Sequence, residues 1–177
     1  MATLENLQAA FNGESNAHAK YTAFAQKADQ EGFAGAAALF RAAAAAEKLH
    51  AANHAKEIKK LGGTPQAKIE LPALGTTAEN LKVAIAGETY ERDVMYPQFI
   101  AAAQAEKQKG AVRTFEWALK AEAEHARLYS EAQAHLQAWR SPRTFVVCPA
   151  CGYTVEELTQ DQCPVCGMPK ARFLPVA

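Results

Sequence analysis

The stretch "EKLH", Glu47 to His50, interrupts an alanine-rich run that extends from Ala42 to Ala55. Methyl side chains favour helix but supply no chemistry. A glutamate and a histidine three residues apart therefore need another reason to be there. On a helix, residues i and i+3 lie roughly 60° apart and about 4.5 Å along the axis, so both can reach one interior point. "EAEH", Glu122 to His125, repeats the spacing in a second alanine-rich segment. Two matching pairs in matching settings call for a common cause.

Around these pairs the chain reads as helices. Leu4, Leu7 and Phe11 recur at helical spacing and continue through Tyr21 and Phe24, predicting a first helix from Thr3 to Gln30. A second, from about Phe33 to Leu61, stops at Gly62-Gly63 with Pro65 just beyond. Residues 62–76 make a longer connection. Thr76 and Glu79 then offer a capping box for a third helix reaching Lys109, in which Pro97 removes a backbone hydrogen bond and predicts a kink. Gly110 separates it from a fourth helix that ends near Trp139. A short turn, a long connection and a short turn describe an all-α four-helix bundle with one crossover, the connectivity of ferritin-like folds, with the second and third helices running in the same direction. Glu14 to Glu47 spans 33 residues and Glu88 to Glu122 spans 34, the spacing expected of a duplicated helical hairpin.

The first and third helices add Glu14 and Glu88 to the two pairs. One Glu from each of two helices and Glu-x-x-His from each of the others is the ligand set of di-iron carboxylate bundles. Two divalent cations in a low-dielectric interior need several negative ligands, and imidazole is a neutral donor suited to iron. Any one of these glutamates alone reads as well as a surface helix charge in a salt bridge; the six together, matched between halves, do not. Glu91, three residues after Glu88, is a surplus acid on the same face. Tyr21, seven residues after Glu14, and Tyr96, eight after Glu88, are placed to hydrogen-bond a ligand carboxylate or simply to pack in the core. His54 and His18 lie one turn from His50 and Glu14 and are left out of the set, as histidines standing behind the ligands or on the surface.

All cysteines fall in "CPACGYTVEELTQDQCPVCG": Cys148 and Cys151, then Cys163 and Cys166, two C-x-x-C knuckles separated by eleven residues. This is the signature of a four-thiolate tetrahedral site, open on spacing alone to a zinc ribbon or to iron. Gly152 and Gly167 follow the second cysteine of each pair, where a positive φ turns backbone N–H groups toward the sulfurs.

"GES", "YTAFA", "EKLH", "GETYERDVMYP" and "EAEH", in that order, followed by "CPACGY" and "CPVCGMPKARF", resemble the motifs of the rubrerythrin family over essentially the whole chain. The resemblance implies a ferritin-like di-iron bundle over residues 1–140 and a rubredoxin-like domain over 141–177, with iron at Cys148, Cys151, Cys163 and Cys166. It implies that Glu47 and Glu122 bridge two irons, Glu14 and His50 serving one and Glu88 and His125 the other. Glu91 matches the family's extra glutamate, which exchanges with His50 as the redox state changes, and Tyr21 and Tyr96 match tyrosines that hydrogen-bond the ligands. The implied activity is reduction of hydrogen peroxide to water, with electrons passed from an external donor protein or reductase through the four-cysteine iron. The alternative is a ferroxidase or iron-handling protein of ferritin type. A zinc ribbon on an inert bundle is a third reading, disfavoured by the interior acids.

Helices of about thirty residues are roughly 45 Å long, so a tail tethered at the end of the bundle is expected not to reach its own subunit's buried site. The family resemblance implies a head-to-tail homodimer, or a higher homo-oligomer, in which one subunit's tail faces the other's di-iron site. Nineteen basic and nineteen acidic side chains cancel, leaving no electrostatic footprint for nucleic acid or an anionic membrane. No segment approaches the ~20 apolar residues of a membrane span, and the N-terminal stretch lacks a secretory pattern, so a cytoplasmic protein is expected.

Overall fold

A computed structural model describes residues 1–71 and 73–177; Pro72, within the expected 62–76 connection, lies outside the described residues. Helices α1 (Ala2–Gln30) and α2 (Ala34–Lys60) form the first hairpin. Small residues set its spacing: Ala36, Ala37, Ala38, Ala42, Ala43 and Ala46 of α2 are buried, so the two backbones approach closely. The end of α2 is the expected glycine stop, with Gly62 at φ +80° and the Gly63 N–H donating to the Ile58 carbonyl at 2.9 Å.

The connection then retraces the bundle along α1. Asn12 Oδ1 accepts from the Lys68 N–H and Asn16 Oδ1 from the Glu70 N–H, while Glu31, at the far end of α1, accepts from the N–H and hydroxyl of Thr77. The chain therefore returns to the end where α2 began, and the third helix runs parallel to α2, as the long link requires. Thr76 and Glu79 close the expected capping box on α3 (Thr77–Tyr90).

The third helix departs from the expected course. After α3 come five residues of π-helix, Glu91–Met95, and then α4 (Tyr96–Ala105). Pro97 sits in the first turn of α4, where its missing N–H is no loss, and the Tyr96 N–H reaches back to the Glu91 carbonyl. The expected kink is thus absorbed as a wider turn. The helix also ends at Ala105, short of Lys109, and the chain reverses through Lys107 at φ +57°. Gly110 is no breaker: it lies in the first turn of α5 (Lys109–Ala134), and the Glu57 carboxylate occupies the space a Cβ would need.

Beyond α5 a 3-10 turn, Leu136–Arg140, folds the tail back onto the bundle. β1 (Phe145–Val147) is the centre of a three-stranded antiparallel sheet of order β2-β1-β3, flanked by β2 (Thr154–Val155) and β3 (Leu174–Val176). Trp139 is buried and stacks on Phe145 at 6.2 Å, with the Arg143 guanidinium 4.1 Å from its ring. Gly35 opens α2 where Ser141 and Trp139 carbonyls press closest, leaving no room for a Cβ. The tail therefore packs along α2 of its own chain, which corrects the expectation that it cannot reach its own site. That expectation treated the tail as a continuation of the helix axis; the turn at Leu136–Arg140 reverses it.

Trp139→Ala should cost about 3–5 kcal/mol of stability, the range for emptying a large aromatic core site, measured by urea unfolding. A loss below about 1 kcal/mol would mean that the tail's packing on α2 contributes little.

Candidate metal centre

The site lies at mid-height in the bundle, between two apolar clusters. One is built on Phe24, Phe40 and Tyr129, the other on Leu7, Tyr96 and Phe115. Glu14, Glu47, Glu88, Glu122 and His125 have no exposed surface, and His50 is 1% exposed. Each helix contributes its inward face: Glu14 from α1, the Glu47/His50 pair from α2, Glu88 from α3 and the Glu122/His125 pair from α5. Donor atoms of Glu14, Glu47, His50 and Glu122 lie within 4.8 Å of one another, and so do those of Glu47, Glu88, Glu122 and His125. Glu47 and Glu122 are common to both groups.

Both imidazoles present Nδ1 to the carboxylates. His50 Nδ1 is 2.8 Å from Glu47 Oε2 and 2.9 Å from Glu122 Oε1; His125 Nδ1 is 2.9 Å from Glu122 Oε2 and 3.3 Å from Glu47 Oε1. Their outer nitrogens are held by the tail. His50 Nε2 donates to the Cys151 carbonyl at 2.9 Å, and His125 Nε2 lies 3.2 Å from Thr154 Oγ1, whose own proton goes to the Gly152 carbonyl. Gly152 packs against the His50 ring so closely that a side chain there would overlap Nε2. With Nε2 committed outward, Nδ1 is the nitrogen available to a metal.

The tyrosines cross between the halves. Tyr21 donates to Glu88 Oε1 at 2.5 Å, and Tyr96 donates to Glu14 Oε1. Each half of the duplicated hairpin thus anchors the other half's glutamate. The remaining oxygens, Glu14 Oε2, Glu47 Oε1, Glu88 Oε2 and Glu122 Oε1, are buried and meet no aligned hydrogen-bond donor; the histidine Nδ1 atoms that approach three of them are the nitrogens turned to the same centre. Anions left this way in an apolar interior cost several kcal/mol each unless cations meet them. Burial raises the Glu14 carboxyl well above the ordinary range, with Glu91 and Glu47 adding repulsion, and burial followed by Glu47 and Glu88 does the same to Glu122. Burial opposes ionisation of Glu47 as well, yet His125 and His50 outweigh it and hold that carboxyl below the usual range. His50 overcomes its burial through Glu47 and Glu14 and is raised to about 9, and His125 is raised in the same sense by Glu122 and Glu47. Four carboxylates and two imidazoles with bare oxygens facing one another fit two divalent cations, whose charge the four carboxylates balance.

Glu91 stands apart. It is half-buried in the π turn and belongs to neither group, although its charge bears on Glu14 and burial, then Glu88, raises its own carboxyl. His18 bonds through Nδ1 to the Ala44 carbonyl, away from the centre. His54, set aside in the sequence, is fully buried and contacts Tyr96 and Thr114; its place one turn from His50 on the same face was the available signal. Nothing in the sequence marks Thr154, which reaches His125 only because the tail folds back.

In the tail, the Sγ atoms of Cys148, Cys151, Cys163 and Cys166 lie within 4.8 Å of one another, and all four thiols are free. Gly152 and Gly167 both adopt φ +77°, which aims the following N–H groups, of Tyr153 and Met168, at the sulfurs of Cys151 and Cys166. Cys148 accepts from Cys151 and from the backbone of Cys151 and Ala150, and its thiol is lowered to about 5. A thiolate cluster furnished with N–H donors fits one four-coordinate iron.

Comparison with known proteins agrees with both centres. The family description "Rubrerythrin" matches residues 5–133, and "Rubrerythrin, rubredoxin-like domain" matches residues 147–174. Nigerythrin of Nitratidesulfovibrio vulgaris is 40% identical over 173 residues, covering 97% of this chain and 85% of the relative. Rubrerythrin-2 of Clostridium acetobutylicum is 34% identical over 175 residues, covering 97% and 95%. A structure of nigerythrin in its fully reduced, all-ferrous state superposes with a TM-score of 0.91 at 39% identity, covering 98% of this chain and 86% of that one. A bacterioferritin from Desulfovibrio desulfuricans, at 23% identity and a TM-score of 0.73 over 77% of this chain and 81% of that one, shares the fold of the bundle. With a ferritin-like bundle carrying a di-iron ligand set, and a rubredoxin-like four-cysteine iron site folded against it, the chain belongs to the rubrerythrin family.

Proposed function

We propose that this chain is a peroxidase that reduces hydrogen peroxide to water, fed by electrons that enter through the four-cysteine iron. The observation that carries this reading is the contact between the two centres: the carbonyl of one cysteine, Cys151, accepts from the ring of His50. Iron storage has no use for a thiolate site seated on a bundle ligand. A redox enzyme that must be re-reduced does.

In this reading Glu47 and Glu122, common to both donor groups, would serve both irons, Glu14 and His50 would hold one, and Glu88 and His125 the other. When bound, the paired irons supply two electrons to the O–O bond of the peroxide, and the four-thiolate iron returns electrons one at a time. Tyr21 and Tyr96 hold Glu88 and Glu14 against rotation, leaving one oxygen of each free toward the centre. Glu91, seated in the π turn beside the site, would be the carboxylate available to replace His50 on its iron if the redox state changed. The tail covers the histidine side and excludes water from it. Residues 1–140 act as the catalytic unit and 141–177 as the electron-transfer unit. Cys166, the one partly exposed thiol, is the point of entry for an external donor protein or reductase.

Because the tail reaches its own site, a head-to-tail pair is not needed for electron transfer. Homodimer assembly rests instead on the exposed apolar residues Val83, Tyr90 and Val94, seven and four residues apart along the third helix. Among the described residues no helix is long and apolar enough to cross a membrane. Free thiols kept as metal ligands suit a reducing compartment, and we place the protein in the cytoplasm.

The iron-loaded chain, fully reduced without air and mixed with limiting hydrogen peroxide, should redden rapidly as the thiolate-bound iron is oxidised, and should redden slowly with dioxygen. Equal rates would favour a ferroxidase, and absence of colour would mean zinc in the tail and no redox feed. A second outcome concerns protons. Without metal, the folded chain holds protons on Glu14, Glu122, His50 and His125 that the unfolded chain has released. More protons in the folded state mean that stability falls as pH rises. Between the ordinary histidine value of 6.5 and the His50 value of about 9, the melting temperature of the metal-free chain should therefore drop, while the metal-loaded chain stays level. A level or rising curve for the metal-free chain would contradict the assigned site.

A further inference from the structure

The duplicated halves differ behind their tyrosines. Glu47 and His50 recur 75 residues later as Glu122 and His125, and the same offset pairs His54 with Tyr129 and Leu39 with Thr114. Behind Tyr96 lie the polar members, His54 and Thr114, both buried. Beside Tyr21 lies Tyr129, its ring 5.5 Å away and its hydroxyl buried without a partner. One tyrosine is therefore backed by a chain of hydrogen bonds, and the other by the Tyr129 ring and, across its face, the Lys20 ammonium 5.1 Å from the ring centre.

The direction of those bonds follows from the ligand at their end. A carboxylate holding a metal only accepts, so Tyr96 must spend its proton on Glu14, and its oxygen is left as an acceptor. His54 Nε2, 3.1 Å from that oxygen, must then be the nitrogen that carries hydrogen. The ring is fully buried and its other nitrogen faces the Thr114 hydroxyl, so Nδ1 is the acceptor for Thr114 Oγ1 at 3.2 Å. Phe115, 5.4 Å from the His54 ring, and Tyr96 fix the ring's place. Donors that themselves accept are polarised, and a polarised Tyr96 hydroxyl withdraws more charge from Glu14.

We propose that Thr114 and His54 are positioning residues that fix the Tyr96 hydroxyl as a strengthened donor to Glu14, making the Glu14 iron electronically distinct from the Glu88 iron. The proposal rests on the reading of Glu14 as an iron ligand. It deepens that reading, because the iron singled out is the one whose other ligand, His50, is exchanged for Glu91. Among the described residues no hydrogen-bonded relay stands behind Tyr21 on the Glu88 side: Leu39 has no hydrogen to give, the Tyr129 hydroxyl has no partner, and Lys20 meets the ring face and not the hydroxyl's lone pairs.

The test is spectroelectrochemical titration of the full-length, iron-loaded chain, with the four-cysteine iron as an internal reference. His54→Leu and Thr114→Val should move the bundle potential to lower values, because a weaker donor leaves more charge on Glu14 and favours the oxidised metal. The four-cysteine potential should stay where it is. His54→Gln, whose amide can still donate to Tyr96, and Thr114→Ser should restore the wild-type value, and Tyr129→Phe should leave it unmoved. Equal potentials in Thr114→Val and Thr114→Ser, or a shift common to every substitution, would overturn the proposal. ¹⁵N NMR of the full-length chain loaded with zinc reads the tautomer without iron: hydrogen on Nε2 of His54 is expected, and hydrogen on Nδ1 alone would overturn the relay. A wild-type bundle that takes up no iron would refute the ligand reading, while the tautomer would still decide the relay.

Discussion

Four carboxylates share one apolar interior in which, among the described residues, His50 and His125 are the cations that reach their oxygens. Left alone, that arrangement opposes folding, because each buried charge must be protonated, paired or met by metal. Two divalent irons balance the four charges and convert the most unfavourable part of the bundle into its anchor. Much else follows from that need. Helix backbones must come close enough for short glutamate arms to converge, and buried alanines permit it. Oxygens that do not face the metals must be satisfied, and the crossed tyrosines do so.

The two halves of the bundle are copies with one residue too many. Glu14 stands 16 residues before the end of α1, whereas Glu88 stands 17 before the end of α4; from the start of the next helix, Glu47 and Glu122 are each at the same distance of 13. The surplus therefore falls between Glu88 and Ala105. Tyr21 follows Glu14 by seven and Tyr96 follows Glu88 by eight, which narrows it further, to the stretch holding the π turn Glu91–Met95. A single added residue thus widens one turn, carries Glu91 beside the site and still returns Tyr96 to the place that Tyr21 holds in the other half. The pseudo-symmetry gives two similar metal positions. The insertion, and the His54–Thr114 pair, make them different.

Legibility in the sequence followed how local each feature is. The Glu-x-x-His pairs, the crossover, the capping box at Thr76 and the glycine stop at Gly62-Gly63 depend on residues a few positions apart, and they were readable. The knuckle glycines were readable for the same reason. Pro97 announced a disturbance in the third helix without its form, because a kink and a π turn remove the same hydrogen bond. Gly110 was misread as a break, since nothing local shows that the Glu57 carboxylate fills its side-chain space. The tail's return was invisible for a related reason: it depends on Trp139, Phe145 and Gly35 meeting across more than a hundred residues. With that return hidden, the hold of Thr154 on His125 was hidden too. The role of His54 is not legible in the sequence, because helical spacing says which face a residue occupies and not which hydroxyls wait there.

Anomalous diffraction at the iron edge, on crystals of the full chain grown with ferrous iron, tests the central claim most directly. Two peaks flanked by Glu47 and Glu122, one beside His50 and one beside His125, together with a third among the four cysteines, are the predicted result. A single peak in the bundle, or none, would contradict the two-iron site and with it the account of why this interior is built from carboxylates.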